Sequence, residues 1–324
     1  MTLRTAAMLA LLTAVVGGLL VSLQLDRAIG PPGAPESLRH AMEPPFVMFR
    51  SLAPDAEHGR TVVLGLTPGA PRTVGPLSCI RLHYAGGRGV CAVSEPRAGV
   101  DEFAAYVFDH RLAPTVRITL AGAPTRIRVA PTGDLAAITT YTAGRGVDGR
   151  HVTNSIAVDL RSGAVIADLN EFQIDPAGAP PIRGRAAVSG LAFERDGRRF
   201  FATLLTDGEP RLVAGSVLER RVTTIRTGVA NEAVSPDGRR LIVKKLVADR
   251  GYWQLAILDL ATWREHDLPQ GPRSVDDQVE WLDDQHVMFH DDDGDTTSLW
   301  ILPADGGSGP QVLVRDAYSG AAQQ

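Results

Sequence analysis

Long helical stretches are missing from this chain. After the first thirty residues no long segment carries apolar residues at helical spacing. Local signatures of catalysis are missing too. No Gly-x-Ser-x-Gly nucleophile elbow occurs, no Gly-x-x-x-x-Gly-Lys phosphate loop, no His-Glu-x-x-His and no Cys-x-x-Cys. Basic residues are scattered singly or in pairs, and the net charge is −4 with a pI near 6.1, so the chain has no electrostatic footprint for nucleic acid. Cysteine is scarce, with two in 324 residues.

What is present points to an all-β body. Thirty-three glycines and 22 prolines punctuate short β-branched runs, the pattern of many strands joined by many turns. A turn carrying Gly or Asp recurs between two apolar runs: Gly86-Gly87, Pro131-Thr132-Gly133-Asp134, Arg195-Asp196-Gly197-Arg198, Pro236-Asp237-Gly238-Arg239 and Leu282-Asp283-Asp284-Gln285. From Gly87 the steps to Gly133, Gly197, Gly238 and Asp284 are 46, 64, 41 and 46 residues. The long step contains a Pro/Gly-rich insertion, Asp175 to Gly184, read as a surface loop. An all-strand period of about 40–50 residues is the mark of a propeller with four strands per blade.

The strand pattern agrees. In Tyr252 to Leu260 both alternating faces are largely apolar, as expected for a blade wedged between two neighbours and not for a sheet with one wet face. Blades are expected near 78–121, 125–170, 186–227, 229–269 and 276–315, with Trp263 to Leu268 as one fourth strand. Residues 46–75 supply three further strands. A sixth blade then needs one more, and Asp316 to Gly320 supplies it by pairing the two ends of the chain. Closure of this kind removes exposed sheet edges. The expectation is a six-bladed β-propeller over residues 46–320.

The flanking segments suggest where the propeller works. Arg4 precedes an uncharged stretch, Thr5 to Leu25, close to the roughly 20 residues that cross a bilayer as a helix. No small-x-small cleavage site is evident, so residues 1–25 read as a signal anchor, with a cleaved signal peptide as the alternative. No cysteine lies near enough for a lipoprotein anchor. A Pro/Gly-rich spacer over 26–45 follows. The expected location is the cell membrane, single-pass, with the body on the extracytoplasmic side, or secreted if the signal is removed. Cys79 and Cys91 flank a chain reversal placed near Ala85, which would set them opposite each other on a hairpin. Opposite Cβ atoms lie about 4.5–5.5 Å apart, within reach of a disulfide after local adjustment. Two buried free thiols are the alternative.

Val234-Ser235-Pro236-Asp237-Gly238-Arg239-Arg240-Leu241 and Ser298-Leu299-Trp300-Ile301-Leu302-Pro303-Ala304-Asp305-Gly306-Gly307 resemble the blade motif of the TolB-like β-propeller family, whose repeats are WD-like. The resemblance is clear in the last two blades, weaker around 130–136 and 193–200, and nearly absent before 78. It implies architecture more than activity. Similar blades occur in a periplasmic protein of the Tol system, in Gram-positive lipoproteins and in prolyl oligopeptidases, for whose hydrolase domain this chain has no room.

Candidate ligand residues are few. Asp291, Asp293 and Asp295 are spaced like the start of a calcium loop, but Thr296 and Leu302 stand where a glycine and a final carboxylate belong. A solvated turn between two strands is the competing reading. His286 and His290 fall on one strand, roughly 13 Å apart, too far to share an ion. Trp253, Trp263, Trp281 and Trp300 could form a stacking patch, yet they fall at three strand positions over two blades and read as packing.

The sequence is therefore read as a monomeric, non-catalytic scaffold without a cofactor, binding a protein or cell-envelope component. A metal-dependent propeller hydrolase or lactonase is the rival. Asp, Glu and His side chains converging in the channel would support the enzyme, and a small apolar lining would sink it. A sensor domain regulating a membrane partner is the third option.

Overall fold

The computed structural model describes residues 36–324 apart from 98–99, 143–151, 183–185, 207–208, 248–250, 276 and 294–295. The apolar segment 1–25 lies outside the described residues, among which no helix is long and apolar enough to cross a membrane. Within the Pro/Gly-rich spacer, Glu36–Ala41 forms a short helix, α1, with Leu38 and Ala41 buried, where an extended segment is expected. A cis Pro44-Pro45 bond follows.

The body is a six-bladed propeller. Blade 1 holds β1 (Phe46–Ser51), β2 (Arg60–Gly65) and β3 (Arg72–Ser78), and blade 2 holds β4 (Arg81–Ala85), β5 (Arg88–Arg97), β6 (Val100–Asp109) and β7 (Pro114–Leu120). Blade 3 comprises β8 (Ala123–Val129), β9 (Leu135–Thr142), β10 (Val152–Asp159) and β11 (Val165–Asp168). The chain then lays down β12 (Gln173–Asp175) before blade 4, which is β13 (Ala186–Phe193), β14 (Arg199–Thr206), β15 (Arg211–Ser216) and β16 (Arg221–Thr227). Blade 5 is β17 (Val229–Val234), β18 (Arg240–Val247), β19 (Tyr252–Asp259) and β20 (Glu265–Asp267). Blade 6 is β21 (Glu280–Trp281), β22 (His286–Asp293), β23 (Thr296–Pro303) and β24 (Gln311–Val314). The last strand, β25 (Ala317–Gln323), pairs antiparallel with β1 from Phe46↔Gln323 to Ser51↔Ala317 and completes blade 1. The strand expected from 316–320 is thus present and runs three residues further. The first strands β25, β4, β8, β13, β17 and β21 contact one another in that order around a closed ring.

Three further expectations need correction. The insertion after blade 3 is not only a loop, because β12 adds a fifth strand parallel to β16 at the outer edge of blade 4. Trp263 sits in the turn before β20 with φ +57°, outside any strand. Cys79 and Cys91 are bonded, with Cα atoms 5.3 Å apart, but they are not opposite. The hairpin turns at Gly86-Gly87, so Leu82 faces Cys91 and the ladder ends at Arg81↔Ala92. The chain before β4 bends in to bring Cys79 to the second strand.

Packing explains why both faces of the strands are apolar. On β19, Leu255 and Ile257 join a core with Val287, Phe289 and Leu302 of blade 6. Ala256 and Leu258, pointing the other way, join Leu241, Val243, Phe201 and Leu212 in the core shared with blade 4. Period-two alternation therefore buries both sets.

Turn chemistry holds one end of the ring. In the Ser235–Gly238 turn the Ser235 Oγ donates to Asp237 Oδ1 at 2.5 Å and accepts from Arg240 N at 2.9 Å, and Gly238 takes φ +71°. The turns of blades 2 to 6 are then tied one to the next. Arg88 Nη1 donates to Gly133 O at 3.0 Å, Arg198 Nη2 to Asp134 Oδ2 at 2.7 Å, Arg195 Nε to Pro236 O at 2.7 Å, and Asp237 N to Asp284 Oδ1 at 2.8 Å. This end is called the turn face. The opposite end, where second strands lead into third strands, is the loop face.

Candidate functional site

First strands present alternate residues to the central channel, so residues two apart share it. On β4 these are Arg81 and His83, and on β8 they are Arg126 and Arg128. Glu232 of β17 and Glu280 of β21 come from the far side, and Lys244 of β18 and Asp277 complete the set.

The groups pair in two tiers. Nearer the loop face, Glu232 is 2.8 Å from Arg126 Nη1 and 3.0 Å from Lys244 Nζ. Asp277 Oδ2 accepts from Arg81 Nη2 at 2.5 Å and from the Tyr318 hydroxyl at 2.6 Å, and lies 3.2 Å from His290 Nε2. Nearer the turn face, Glu280 accepts from Arg128 and, at 2.8 Å, from His83 Nε2. His83 is held in one tautomer. The Val129 N–H donates to its Nδ1 at 3.1 Å, so Nδ1 is an acceptor and the proton sits on Nε2. Both ring nitrogens are engaged.

Burial and charge oppose each other throughout. Burial would raise the carboxyl groups of Glu232 and Glu280, but Arg126 and Lys244 for the first, and Arg128 and His83 for the second, hold both below the usual carboxylate range. Burial likewise opposes ionisation of Asp277, and His290 and Arg81 more than reverse it. Burial pushes Lys244 down to about 8, with Arg126 adding repulsion and Glu232 holding it up. His83 is lowered by burial against the pull of Glu280.

A segment of chain crosses the channel. Between β20 and β21, Gln278 reaches Ile127 of β8, donating from Nε2 to its carbonyl at 3.1 Å and accepting its N–H at 3.3 Å. Arg128 Nη2 also donates to the carbonyls of Val279 and Glu232. Blades 3 and 6 face each other across a six-bladed ring, so this bridge divides the channel. A cavity of about 460 Å³ opens on the loop face, lined among others by Arg81, Arg126, Tyr141, Leu205, Trp253 and Asp277. A smaller one, about 260 Å³, opens on the turn face beside His83, Phe193, Arg195 and Trp281.

The residues singled out from sequence are not brought together here. Asp291 pairs with Arg273 at 2.9 Å, Asp293 ends β22, and Asp295 lies outside the described residues. His286 pairs with Asp283 and His290 with Asp277, so the two histidines serve different carboxylates. Trp281 donates Nε1 to Ala233 O at 3.1 Å, and Trp300 lies under Arg273 at 4.3 Å, both as buried packing. Trp253 lines the loop-face cavity and Trp281 the turn-face one. The channel charges were missed, although Arg81-x-His83 and Arg126-x-Arg128 at the start of two blades carry the spacing that could have revealed them. The channel meets neither simple expectation. Acids and histidines do converge, but arginine and lysine are interleaved with them, and among the described residues no three His, Cys, Asp or Glu side chains are grouped to hold a metal ion.

Comparisons with known proteins bear on the fold. No family model and no curated protein matches the sequence. Among solved structures, TolB from Acinetobacter baumannii is 18% identical with TM-score 0.59, covering 86% of this chain and 65% of its own. The chain thus spans about two thirds of that structure's length. A protein described as TolB from Agrobacterium tumefaciens is 12% identical with TM-score 0.52, over 83% of this chain and 88% of its own. A chain of a nidogen/laminin complex is 10% identical with TM-score 0.54, over 86% and 98%. The fold is that of the TolB-like propellers.

Proposed function

We propose that this TolB-like propeller is a non-catalytic binding scaffold that works outside the cytoplasm and receives a protein or cell-envelope component on its loop face. One observation carries the reading. Blades 3, 4 and 5 each end their second strand, at the loop face, in an exposed apolar side chain: Tyr141 (50%), Leu205 (38%) and Leu246 (50%). Among the described residues the other large exposed apolar side chains, Val165, Ile166, Leu218, Ile225 and Trp263, lie on outer strands or the turns between them. An apolar arc beside a polar cavity is the composition of a recognition surface. A chain of the nidogen/laminin complex with the same fold supports the mode of use. The apolar N-terminal stretch and the Cys79–Cys91 disulfide support the compartment.

The rival reading, a metal-dependent hydrolase, has the converging Glu232, Asp277, Glu280, His83 and His290 in its favour. Each of these is held by a protein partner, and the adjacent guanidinium groups repel a divalent cation. A photo-crosslinking residue at Leu246, compared with one at Gln285 on the turn face, tests the scaffold in intact cells. A discrete adduct from position 246 and none from 285 is expected. Equal labelling at both positions, or ester hydrolysis that rises with added calcium or zinc, would overturn it.

A further inference from the structure

The loop-face cavity holds more positive charge than its own carboxylates neutralise. Among its described lining residues, Arg81, Arg126 and Lys244 face Glu232 and Asp277, leaving one cation in excess. Lys244 is spent, with Nζ donating to the Asp277 carbonyl at 2.5 Å and paired to Glu232. The two arginines are not. Arg126 uses one terminal nitrogen on Glu232 and Arg81 uses one on Asp277. The remaining N–H groups of both have no partner among the described residues, and the side chains stay 22% and 15% exposed to the cavity. Burying donors of this kind is costly unless something accepts from them.

The walls narrow the choice of ligand. Thr125, Thr153 and Ser189 supply hydroxyls, while Leu205, Pro210, Ala230 and Trp253 supply apolar surface. We propose that this cavity binds a carboxylate carried on an apolar body, the free edges of Arg81 and Arg126 receiving the carboxylate and Trp253 and Leu205 the body. A guanidinium fork matches a planar carboxylate. One negative charge balances the excess, whereas a phosphate dianion would overshoot it.

The proposal rests on the loop face being the receiving face, and the two can fail separately. Adducts at position 246 without carboxylate selectivity would leave the scaffold and remove this site. Selectivity without adducts would do the reverse.

Titration of the full chain with 3-phenylpropionate, 3-phenylpropionamide and inorganic phosphate, followed by tryptophan fluorescence, tests it. Trp253→Phe should abolish the response. The acid should bind at least tenfold more tightly than the amide and than phosphate. Arg126→Gln and Arg81→Gln, each checked for folding by thermal melting, should each weaken the acid about tenfold. Equal binding of acid and amide, tighter binding of phosphate, or a folded arginine variant that binds as the parent does would overturn the proposal. Should neither variant fold, the acid-to-amide ratio in the unaltered protein decides, and a ratio below about three counts against it.

Discussion

The turn face and the loop face are built from the same six blades, yet their polar groups are spent differently. On the turn face polar ties run from one blade to the next: Arg88 to Gly133, Arg198 to Asp134, Arg195 to Pro236 and Asp237 to Asp284. On the loop face the arginines keep unpartnered edges, and three blades expose apolar side chains. One end holds the ring together and the other is left to meet something. Between them lies the ion network, which belongs to both.

The largest expected effect comes from breaking that network. Glu232→Gln leaves Lys244 and Arg126 facing each other in a site where the glutamate is only 2% exposed. Removing one partner of a buried pair costs about 3–5 kcal/mol, so chemical denaturation should show a loss of that order. A loss below about 1 kcal/mol would mean that water enters the channel and screens it, and that the two cavities are one.

Next come the glycines of the turn face. A Cβ on Gly86, whose φ is +56°, would lie 2.4 Å from Gly133 N, whereas a Cβ on Gly87, φ +80°, would meet nothing within 4 Å. Gly86→Ala should therefore cost about 2–4 kcal/mol, strain and overpacking together. Gly87→Ala should cost only the left-handed backbone, about 1–2 kcal/mol. Equal melting temperatures for the two variants would refute the turn-to-turn contact.

How much of this was legible in sequence follows from distance along the chain. The turns were, because Ser235, Pro236, Asp237 and Gly238 act on one another within four residues. Ring closure was, because a missing strand could be counted. The cysteine register was misjudged by three residues, since a hairpin reversing at Ala85 and one reversing at Gly86-Gly87 differ only in which residue accepts a positive φ. The channel was not legible. Arg81 and Asp277 are 196 positions apart and His83 and Glu280 are 197. Only ring closure brings such pairs together, and the local Arg81-x-His83 and Arg126-x-Arg128 spacing marks one side of each pair without naming its partner.

A pH titration asks whether the network between the faces is as dry as its distances imply. His83 is lowered by burial, so the unfolded chain takes up its proton first as pH falls. Stability from this group is complete above the unfolded value of about 6.5 and declines below it. Glu232, Glu280 and Asp277, all held low, add a second decline once pH drops through the unfolded carboxylate values near 4. Stability should thus fall in two stages on acidification, and His83→Gln should remove the first.

The smallest effect on stability is expected where function is proposed. Leu246 is half exposed at the end of β18, so Leu246→Ser should change unfolding free energy by less than about 0.5 kcal/mol. Burying a leucine-sized side chain against a partner is worth about 1.5–3 kcal/mol, and a factor of ten in affinity is about 1.4 kcal/mol. The same substitution should therefore weaken binding of a partner captured through the loop face about tenfold or more. Gln285→Ala, on the turn face, should alter neither stability nor binding. If Leu246→Ser instead lowers the melting temperature and spares binding, that leucine belongs to the fold, and the division of labour between the two faces fails at the position that best displays it.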